Sequence, residues 1–460
     1  YLGRSILTLI SPLMLSWGGL LLHIGIDDTD SPRGGCTTYI AARIVEGLLS
    51  LDVDFIDYPS LIRLNPNAPW KTRGNGAICL RLSIPEELES KVKHIVIQEV
   101  EAYADLEHPQ THPGVVFHIG EIPKPIRDFA ERTIRGLTTL REAMELIDEY
   151  SASAIGYKEM RGLIGALAAI GETLEGDYTY ELLAYRQPEN WGKPRRVDPE
   201  SVLEMDRATA PETFNNYDPE TGRILITPRG PDPVLLGIRG ESPEVVHRAF
   251  EMLRINEPIE RWVIFRTNQG TDAHLGEPVK LRAAKPYMPI VSVVEVASKP
   301  RTIPGGHVIL RVRDETGEMD AAAYEPTGSF REIIRSLIPG DIIRIYGGVR
   351  PMGREASTIN LEKVEILELA RDVRLMNPPC PLCGARMESM GRGKGYRCRR
   401  CRYRDETLSK REVEVPRSVR RGLYLPPPRA QRHLTKPLRR YGREKRGPPV
   451  GPLYEPWHHP

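Results

Sequence analysis

The order of apolar and polar positions divides residues 20–150 into alternating strands and helices. The apolar run Leu20–Ile26 (LLLHIGI) predicts a strand, and an acidic loop that contains glycine follows it. A helix is predicted from about Thr37, and its apolar face comprises Ile40, Ala41, Ile44, Val45 and Leu48. A second strand, Ala77–Leu82, follows the polar loop Arg63–Gly76. Strands that alternate with helices indicate an α/β unit.

Residues 151–285 predict a second unit with short strands. The segment 151–171 (SASAIGYKEMRGLIGALAAIG) is rich in small residues, which favours a helix that packs closely on a sheet. The apolar runs YTYELLAYR, ILITPRG, DPVLLGIRG and WVIFRTNQGT follow, separated by turn residues. This pattern is compatible with a ferredoxin-like sandwich.

Residues 286–370 are predicted to consist almost entirely of β-strands. Five strands are predicted, with a hairpin tip at Glu315–Gly317 and one helix at Gly328–Leu337, between the third and fourth strands. That order is typical of an OB-fold β-barrel, which often binds oligonucleotides, although a fold alone does not determine function.

The charges are distributed unevenly along the 460 residues, although the net charge is only +2. Residues 371–460 contain 23 Lys and Arg against 8 Asp and Glu, whereas residues 1–370 contain 41 against 54. This asymmetry indicates a polyanion bound at the C-terminal end, but a charged solubilising tail explains it equally well. The ten prolines and 13 Lys and Arg of residues 409–460 predict a basic, largely disordered tail.

Four of the six cysteines form two close pairs in residues 374–408. The spacing of Cys380, Cys383, Cys398 and Cys401 predicts a structural zinc ribbon, because four thiolates complete a tetrahedral shell. The remaining cysteines, Cys36 and Cys79, are isolated, which is typical of a reducing cytoplasm. Basic residues surround the two pairs and could contact a phosphate backbone or form a solvated face: Arg392, Lys394, Arg397, Arg399, Arg400, Arg402 and Arg404.

The segment Gly25–Thr38 (GIDDTDSPRGGCTT) carries the most informative chemistry. Its three carboxylates, Asp27, Asp28 and Asp30, follow a strand directly and suit Mg²⁺, which commonly accompanies a nucleoside triphosphate. Gly34 and Gly35 precede a helix N-terminus that can bind phosphate. Thr37 and Thr38 begin this helix, where capping is the simpler interpretation. An ordinary acidic turn is the alternative for the whole segment.

Two further polar segments are candidates for ligand binding. The loop RLNPNAPWKTRGNGA offers donors for phosphate or RNA, or is a solvated surface loop: Arg63, Asn65, Asn67, Lys71, Arg73 and Asn75. The segment TFNNYD, Thr213–Asp218, places an aromatic ring beside a carboxylate, which suits a cationic amine but is also typical of a turn.

The apolar N-terminal stretch Ser5–Leu22 has the composition of a signal peptide or membrane span. Pro12, Gly18 and Gly19 interrupt it, and Met14 lies just before the first predicted strand. We therefore expect a misplaced start at residues 1–19 rather than a membrane anchor.

The motifs GIDDTDSPRGGCTT, RLNPNAPWKTRGNGA, GYKEMRGLIGALAAIG and TFNNYD, with the predicted barrel and ribbon, resemble the archaeal tRNA(Ile) 2-agmatinylcytidine synthetases. The resemblance covers residues 20–408. It implies an enzyme that uses ATP and Mg²⁺ to attach agmatine to C2 of the wobble cytidine of the isoleucine tRNA with a CAU anticodon. It also implies a kinase-like domain at 20–150, a ferredoxin-like domain at 151–285, an OB-fold at 286–370 and a zinc ribbon at 374–408.

The resemblance also implies roles for individual residues. Asp27, Asp28 and Asp30 would hold Mg²⁺ and the triphosphate, and Thr37 matches the family's autophosphorylated position. Residues implied to bind the nucleotide are Gly34, Gly35, Thr38, Lys71, Arg73, Asn75, Lys158 and Arg161. Those implied to bind agmatine are Asn216, Tyr217 and Asp218.

Two other functions remain open from the residues alone. A non-catalytic RNA-binding protein explains residues 286–460 but gives the three aspartates no role, and a small-molecule kinase needs neither the barrel nor the basic end. Nothing in the sequence indicates an obligate dimer, so we expect a monomer that acts in the cytoplasm.

Overall fold

The computed structural model describes residues 19–352, 356–449 and 451–460. The apolar stretch from Ser5, up to residue 18, lies outside the described residues, as does the expected misplaced start. No helix among the described residues is long and apolar enough to cross a membrane.

The first unit places five helices against six strands. The strands are β1 (Leu20–Asp27), β2 (Asp54–Phe55), β3 (Ser60–Arg63), β4 (Gly76–Ile84), β5 (Gly114–Ile119) and β6 (Ser153–Gly156). The helices are α1 (Thr37–Leu49), α2 (Glu89–Tyr103), α3 (Lys124–Arg135), α4 (Leu140–Glu149) and α5 (Gly162–Gly171). The apolar face predicted for α1 is buried throughout.

The second unit continues the same sheet. Its strands are β7 (Thr179–Arg186), β8 (Thr213–Phe214), β9 (Tyr217–Asp218), β10 (Arg223–Ile224), β11 (Val234–Gly240) and β12 (Ile259–Thr267), and its helices are α6 (Pro199–Thr209) and α7 (Pro243–Glu251). The strand order is β6-β5-β1-β4-β3-β12-β7-β11-β8. The parallel pairing of β3 with β12 joins the two units, and the other pairings along this order are antiparallel.

Elements on both sides of the boundary predicted at residue 150 pack on one sheet. Strand β6 pairs with β5, and helix α5 packs on β1, β4 and β5. The predicted close packing of this small-residue helix is confirmed, since a β-carbon at Gly25 would overlap the backbone of Ala166. Glycine at both Gly114 and Gly162 lets β5 and α5 approach in the same way.

A closed barrel follows, with its own hydrophobic core. Its elements are β13 (Pro289–Val296), β14 (Arg301–Ile303), β15 (His307–Asp314), β16 (Gly317–Ala323), α8 (Phe330–Arg335), β17 (Ile342–Met352) and β18 (Ala356–Glu368). Five strands pair in the cycle β13-β17-β18-β16-β15-β13, with β14 added beside β15. The predicted helix between the third and fourth barrel strands is confirmed as α8.

The four-cysteine segment stands on a two-stranded stalk. The stalk pairs β19 (Val373–Met376) with β23 (Arg411–Glu414), and between them lie β20 (Glu388–Ser389), β21 (Tyr396–Arg397) and β22 (Arg404–Asp405). Within the described part of the chain, the hydrogen bonds and ion pairs made by residues 377–408 stay inside that segment.

Much of the C-terminal segment 409–460, which was predicted to be largely disordered, packs on the rest of the protein. Strand β24 (Gly422–Tyr424) pairs with β18, and β25 (His458–His459) pairs with β12. Trp457 is buried in the main core, and the Arg440 side chain is fully buried. The expectation of disorder was wrong because the acidic body provides carboxylate partners for the basic residues of this segment.

Candidate active site

The three aspartates lie where β1 ends and the chain turns toward α1. Asp27 is the last residue of β1, and Asp28 has a left-handed backbone conformation with φ of 59°, which Asp and Asn adopt more readily than most residues. Thr29 is completely buried, and its hydroxyl lies 2.9 Å from the Thr37 hydroxyl. This contact ties the aspartate loop to the start of α1.

The carboxylates are held in surroundings that disfavour their charged form. Burial, followed by the neighbouring Asp28, raises the pKa of Asp27 well above its ordinary value. Burial raises the pKa of Asp28 to about 6, although Arg161 acts in the opposite direction. Burial also raises the pKa of Asp30, against the effect of Arg73. Burial and the neighbouring carboxylates both disfavour the charged forms of these side chains, and a nearby cation would relieve both costs.

Glycine in α5 makes room for this cluster. A β-carbon at Gly165 would overlap the Asp27 carboxylate, so the helix backbone must pass directly beside that side chain. The small-residue pattern of 162–171 therefore serves two purposes: close packing on the sheet and space for Asp27.

Two arginines from distant segments lie against the aspartates. Arg161 Nη2 donates to Asp28 Oδ2 at 2.8 Å, and Arg73 Nε donates to Asp30 Oδ2 at 2.9 Å. Arg73 Nη2 also donates to the carbonyl of Gly35 at 2.6 Å. Cationic donors next to a carboxylate cluster are the arrangement needed to hold a metal ion and phosphates side by side.

The aspartates and arginines line one cavity of about 820 Å³. This volume is in the range of sites for nucleotide-sized ligands. The predicted site residues that the structure brings together there are Asp27, Asp28, Asp30, Thr37, Thr38, Lys71, Arg73, Asn75 and Arg161.

Other predicted residues are not among those lining the cavity. Lys158 donates to the backbone carbonyls of Leu106 and His108 instead. Gly34 and Gly35 shape the turn before α1, with φ of 155° and 74°. Their backbone conformation supports the loop that carries Asp30.

The segment Asn216–Asp218 is also turned away from the cavity. Asn216 is buried and donates to Asp206, while Asp218 is buried in an ion pair with Arg429 at 2.5 Å. The preceding residues, Phe214 and Asn215, line the cavity in their place.

The start of α1 differs from the simple capping interpretation. The N-cap residue is Cys36, and it makes no side-chain capping hydrogen bond. Thr38 Oγ1 lies 3.0 Å from Cys36 Sγ, and Thr37 contacts Thr29. Both threonine hydroxyls are thus used in contacts near the cavity rather than as caps.

Sequence reasoning missed several charged or polar residues of the cavity wall, among them Glu181, Asp232, Arg239 and His433. Arg239 Nε donates to Glu181 Oε1 at 3.0 Å, and Arg239 Nη2 lies 3.1 Å from His433 Nδ1. Arg63, together with burial, lowers the pKa of His433 well below its ordinary value, which keeps the imidazole neutral. A charged residue inside an apolar strand, as in YTYELLAYR and LLGIRG, was the available signal for Glu181 and Arg239.

The four cysteines of the ribbon converge as predicted. Their Sγ atoms all lie within 4.8 Å of one another, and those of Cys380 and Cys401 are 3.4 Å apart. Four thiolates at this separation fit one tetrahedral zinc ion.

Three family models match the chain in order. They are the TiaS TCKD domain at residues 23–159, the TiaS FLD domain at 160–274 and the TiaS C-terminal zinc ribbon domain at 377–419. The matched segments carry the aspartate cavity and the four cysteines.

Relatives and solved structures match nearly the whole chain. The curated isoleucine-tRNA 2-agmatinylcytidine synthetase TiaS of Staphylothermus marinus is 45% identical over 435 residues, 92% of this chain and 95% of that protein. The crystal structure of TiaS in complex with its isoleucine tRNA and ATP matches with a TM-score of 0.82 and 40% identity, covering 91% of this chain and 97% of that one. A complex of TiaS with the same tRNA, AMPCPP and agmatine matches with a TM-score of 0.80 and 38% identity over the same shares. The chain therefore belongs to the isoleucine-tRNA 2-agmatinylcytidine synthetase family, TiaS.

Proposed function

We propose that this protein is an ATP-dependent ligase that joins agmatine to C2 of the wobble cytidine in the CAU-anticodon isoleucine tRNA, so that the tRNA reads AUA. The observation that carries the proposal is the cavity with Asp27, Asp28 and Asp30 facing Arg73 and Arg161. The names of the relatives and the ATP- and agmatine-bound complexes support it.

The reaction explains why such a cavity is needed. The C2 oxygen of cytidine belongs to a urea-like carbonyl, and that oxygen leaves poorly. Phosphoryl transfer from ATP to this oxygen allows it to leave as phosphate when the primary amine of agmatine forms its bond to C2 and loses a proton. Cationic groups around the phosphates stabilise the charge of the transferring group.

The donor set of the cavity fits Mg²⁺ and a triphosphate. Asp27, Asp28 and Asp30 would hold the ion, which neutralises phosphate charge when bound. Arg73, Arg161 and Lys71 would bind phosphate oxygens, with the N–H groups at the start of α1 and the loop of Gly34 and Gly35 beside them. Of the other nucleotide-binding candidates, Thr38 and Asn75 line the cavity, and Lys158 supports the neighbouring loop.

Thr37 is the proposed phosphorylated residue, on the strength of the resemblance. Its side chain lines the cavity, and its hydroxyl lies 2.9 Å from that of Thr29. A phosphoryl group there would stand at the helix N-terminus, where negative charge is favoured.

For agmatine we propose a position against Phe214 and Asn215. An aromatic face suits a guanidinium or ammonium group. The expected residues Asn216, Tyr217 and Asp218 would act as supports, because Asp218 is ion-paired with Arg429 and Asn216 holds Asp206.

The rest of the proposal concerns the tRNA. We propose that the first unit is kinase-like, the second ferredoxin-like and the barrel an OB-fold, and that the barrel and zinc ribbon bind the tRNA away from its anticodon. The target base must be unpaired and turned out of its loop to enter the cavity. We also propose that the protein acts as a monomer in the cytoplasm, where thiolates remain reduced.

The test incubates the protein with ATP, Mg²⁺, agmatine and a CAU-anticodon isoleucine tRNA transcript, followed by mass spectrometry of the digested nucleosides. Asp28→Asn removes the charge and keeps a residue that tolerates φ of 59°, while Asp128→Asn changes an exposed carboxylate paired with Lys124. We expect the agmatine adduct with wild type and Asp128→Asn, and none with Asp28→Asn.

Two results would contradict the proposal. Wild-type protein that binds the tRNA and leaves the cytidine unchanged would favour the non-catalytic RNA-binding alternative. Full activity of Asp28→Asn would remove the aspartate cluster from the reaction.

A further inference from the structure

Trp70 is an exposed aromatic side chain at the wall of the cavity. Its side chain is 57% exposed, whereas Trp262 and Trp457 are buried in the core. Trp70 lines the same cavity as the three aspartates. An indole ring exposed at the wall of a ligand cavity has its face available to a molecule that enters the cavity.

The loop that carries Trp70, Arg63–Gly76, is braced on several sides. Asn75 Nδ2 donates to the carbonyl of Asn65 at 2.7 Å, and Asn65 Nδ2 donates to the carbonyl of Tyr287 at 3.0 Å. Arg432 Nη1 donates to the carbonyl of Pro66 at 2.9 Å. The exposure of Trp70 therefore belongs to a loop whose backbone is fixed at several points.

The same loop lies where the barrel meets the cavity. Tyr287 lies just before barrel strand β13, and Asn67 packs so closely on Gly348 of β17 that a β-carbon there would overlap it. The loop therefore lies between barrel strand β17 and the cavity.

Lys71, the next residue in the chain, adds a cation to the same cavity wall. Its Nζ donates to the carbonyl of Arg73 at 3.1 Å, and no carboxylate of the described residues forms an ion pair with it. An aromatic face next to a cation is a common means of binding an unpaired base together with its phosphate.

We propose that Trp70 stacks on the cytidine base that enters the cavity, with Lys71 against the adjacent phosphate. The inference rests on the proposed function and assigns a substrate-positioning residue to it. The indole face is available, the loop is fixed in place, and the cavity behind it carries the phosphoryl-transfer groups. Stacking there would hold the base at the cavity mouth after it leaves the anticodon loop.

The experiment uses the full chain and a CAU-anticodon isoleucine tRNA with pyrrolocytosine, whose fluorescence stacking quenches, at the first anticodon position. Trp70→Ala and Trp70→Leu remove the aromatic face, and Trp70→Phe keeps one. Met144→Ala is the control, because Met144 is an apolar side chain that is 40% exposed and lies outside the cavity wall. Fluorescence quenching, the dissociation constant for the tRNA, and the KM values for tRNA and ATP are measured.

We expect Trp70→Ala and Trp70→Leu to lose the quenching and to weaken tRNA binding roughly 5- to 150-fold, the range for loss of one stacked base. Trp70→Phe should keep most of both, and Met144→Ala should behave as wild type. The KM for ATP should stay unchanged in all four variants, which separates stacking from general damage to the site.

The outcomes separate this inference from the proposed function. Wild-type affinity and quenching in Trp70→Ala would overturn it even if the enzyme is active, and so would a Trp70→Leu variant as good as Trp70→Phe. If the wild type binds the tRNA without modifying it, the proposed function fails, yet the quenching comparison still decides the role of Trp70. Absence of any tRNA binding by the wild type would overturn both.

Discussion

Two basic regions follow each other near the C-terminal end, and the structure uses them in opposite ways. In the ribbon, residues 377–408, the seven basic side chains around the cysteine pairs are all exposed. Among these, only Arg397 and Arg399 form ion pairs within the described residues, both with Glu388. In the strap, which we define as residues 426–445, basic side chains pair with carboxylates of the second unit, the barrel and the strap itself: Arg429, Arg432, Lys436, Arg439, Arg440 and Lys445.

The difference shows that local basic charge does not identify a nucleic-acid surface. The strap's positive charges neutralise part of the acidic body, so they are not free for a polyanion. The exposed ribbon charges remain available for phosphate contacts. The excess of basic residues near the C-terminal end therefore has two parts: the strap residues form ion pairs within the protein, and the ribbon residues are suited to RNA.

The largest effect is expected from Arg440→Ala. Arg440 is fully buried and donates to both Asp177 and Glu241, so its removal leaves two carboxylates without their partner. Breaking such a buried pair costs about 3–5 kcal/mol. Because a chain of several units need not unfold in one step, the measurement is the urea midpoint of the first transition.

Arg443→Ala is the control for that variant. Arg443 is exposed, and no ion pair joins it to any described carboxylate. Its substitution should change stability by less than about 0.5 kcal/mol. Equal urea midpoints for the two variants would contradict a structural role for the strap.

Loss of zinc should affect the other region alone. Cys398→Ser removes one of the four cysteine ligands, and chelation removes the metal ion itself. The ribbon should unfold and the tRNA affinity should fall, with the salt dependence reduced by about 0.9 for each phosphate that the ribbon no longer neutralises. ATP binding and the urea midpoint of the body should persist, since the ribbon's hydrogen bonds are internal.

Filter binding across a series of salt concentrations measures the expected change. Cys79→Ala, in the core of the first unit, is the matched cysteine substitution. Unchanged tRNA binding after zinc removal would mean that the exposed arginines do not contact RNA.

A fall in pH should weaken ligand binding in the cavity and leave the ion pairs of the strap intact. The pKa of Asp28 is raised to about 6, so its charged form, which in the proposed function binds Mg²⁺, is lost as the pH falls through that value. Asp218, which pairs with Arg429 of the strap, behaves differently. Burial acts to raise the pKa of its carboxyl, but hydrogen bonds from Thr221 and Arg429 outweigh burial and lower it, so Asp218 stays charged.

The affinity for Mg²⁺-ATP should therefore fall about tenfold or more for each pH unit below 6. The sign is opposite for folding: protonation of a carboxyl with a raised pKa favours the folded state, so this group does not destabilise the fold on acidification. Calorimetric titration of Mg²⁺-ATP at pH 7.5 and 5 measures the effect. The Asp28→Asn variant should show a weaker affinity with a smaller pH dependence, and an equal dependence would exclude Asp28.

The smallest effect is expected from Arg400→Gln in the ribbon, compared with Arg439→Gln in the strap. Arg400 is exposed without an ion pair in the described chain, whereas Arg439 binds Asp206 at 2.9 Å. The first variant should lower the salt slope of tRNA binding by about 1 without changing the melting temperature. The second should lower the melting temperature slightly and leave the slope unchanged. The reverse result would mean that the strap contacts the tRNA and that the ribbon arginine stabilises the fold.

The parts of the site that are contiguous in sequence could be predicted. Asp27, Asp28 and Asp30 follow a recognisable strand, and the helix after them was predicted to within a residue at its start. The convergence of Glu181, Arg239 and His433 could not be predicted, because it depends on the pairing of β7 with β11 and on the return of the strap to the cavity. Asn216 and Asp218 were expected to contact substrate, but tertiary contacts with Asp206 and Arg429 hold them elsewhere.

The sequence by itself determined the local motifs: the strand, acidic loop and helix of the cavity, the barrel's order of elements and the two cysteine pairs. Each depends on residues close in the chain, whose spacing fixes their geometry. Only the tertiary structure decided which carboxylate each basic residue meets. Arg400 and Arg440 both lie in basic stretches of the sequence, yet one faces solvent and the other is buried between Asp177 and Glu241. The physical reason is that an ion pair depends on distance in space, and these partners are far apart in the chain.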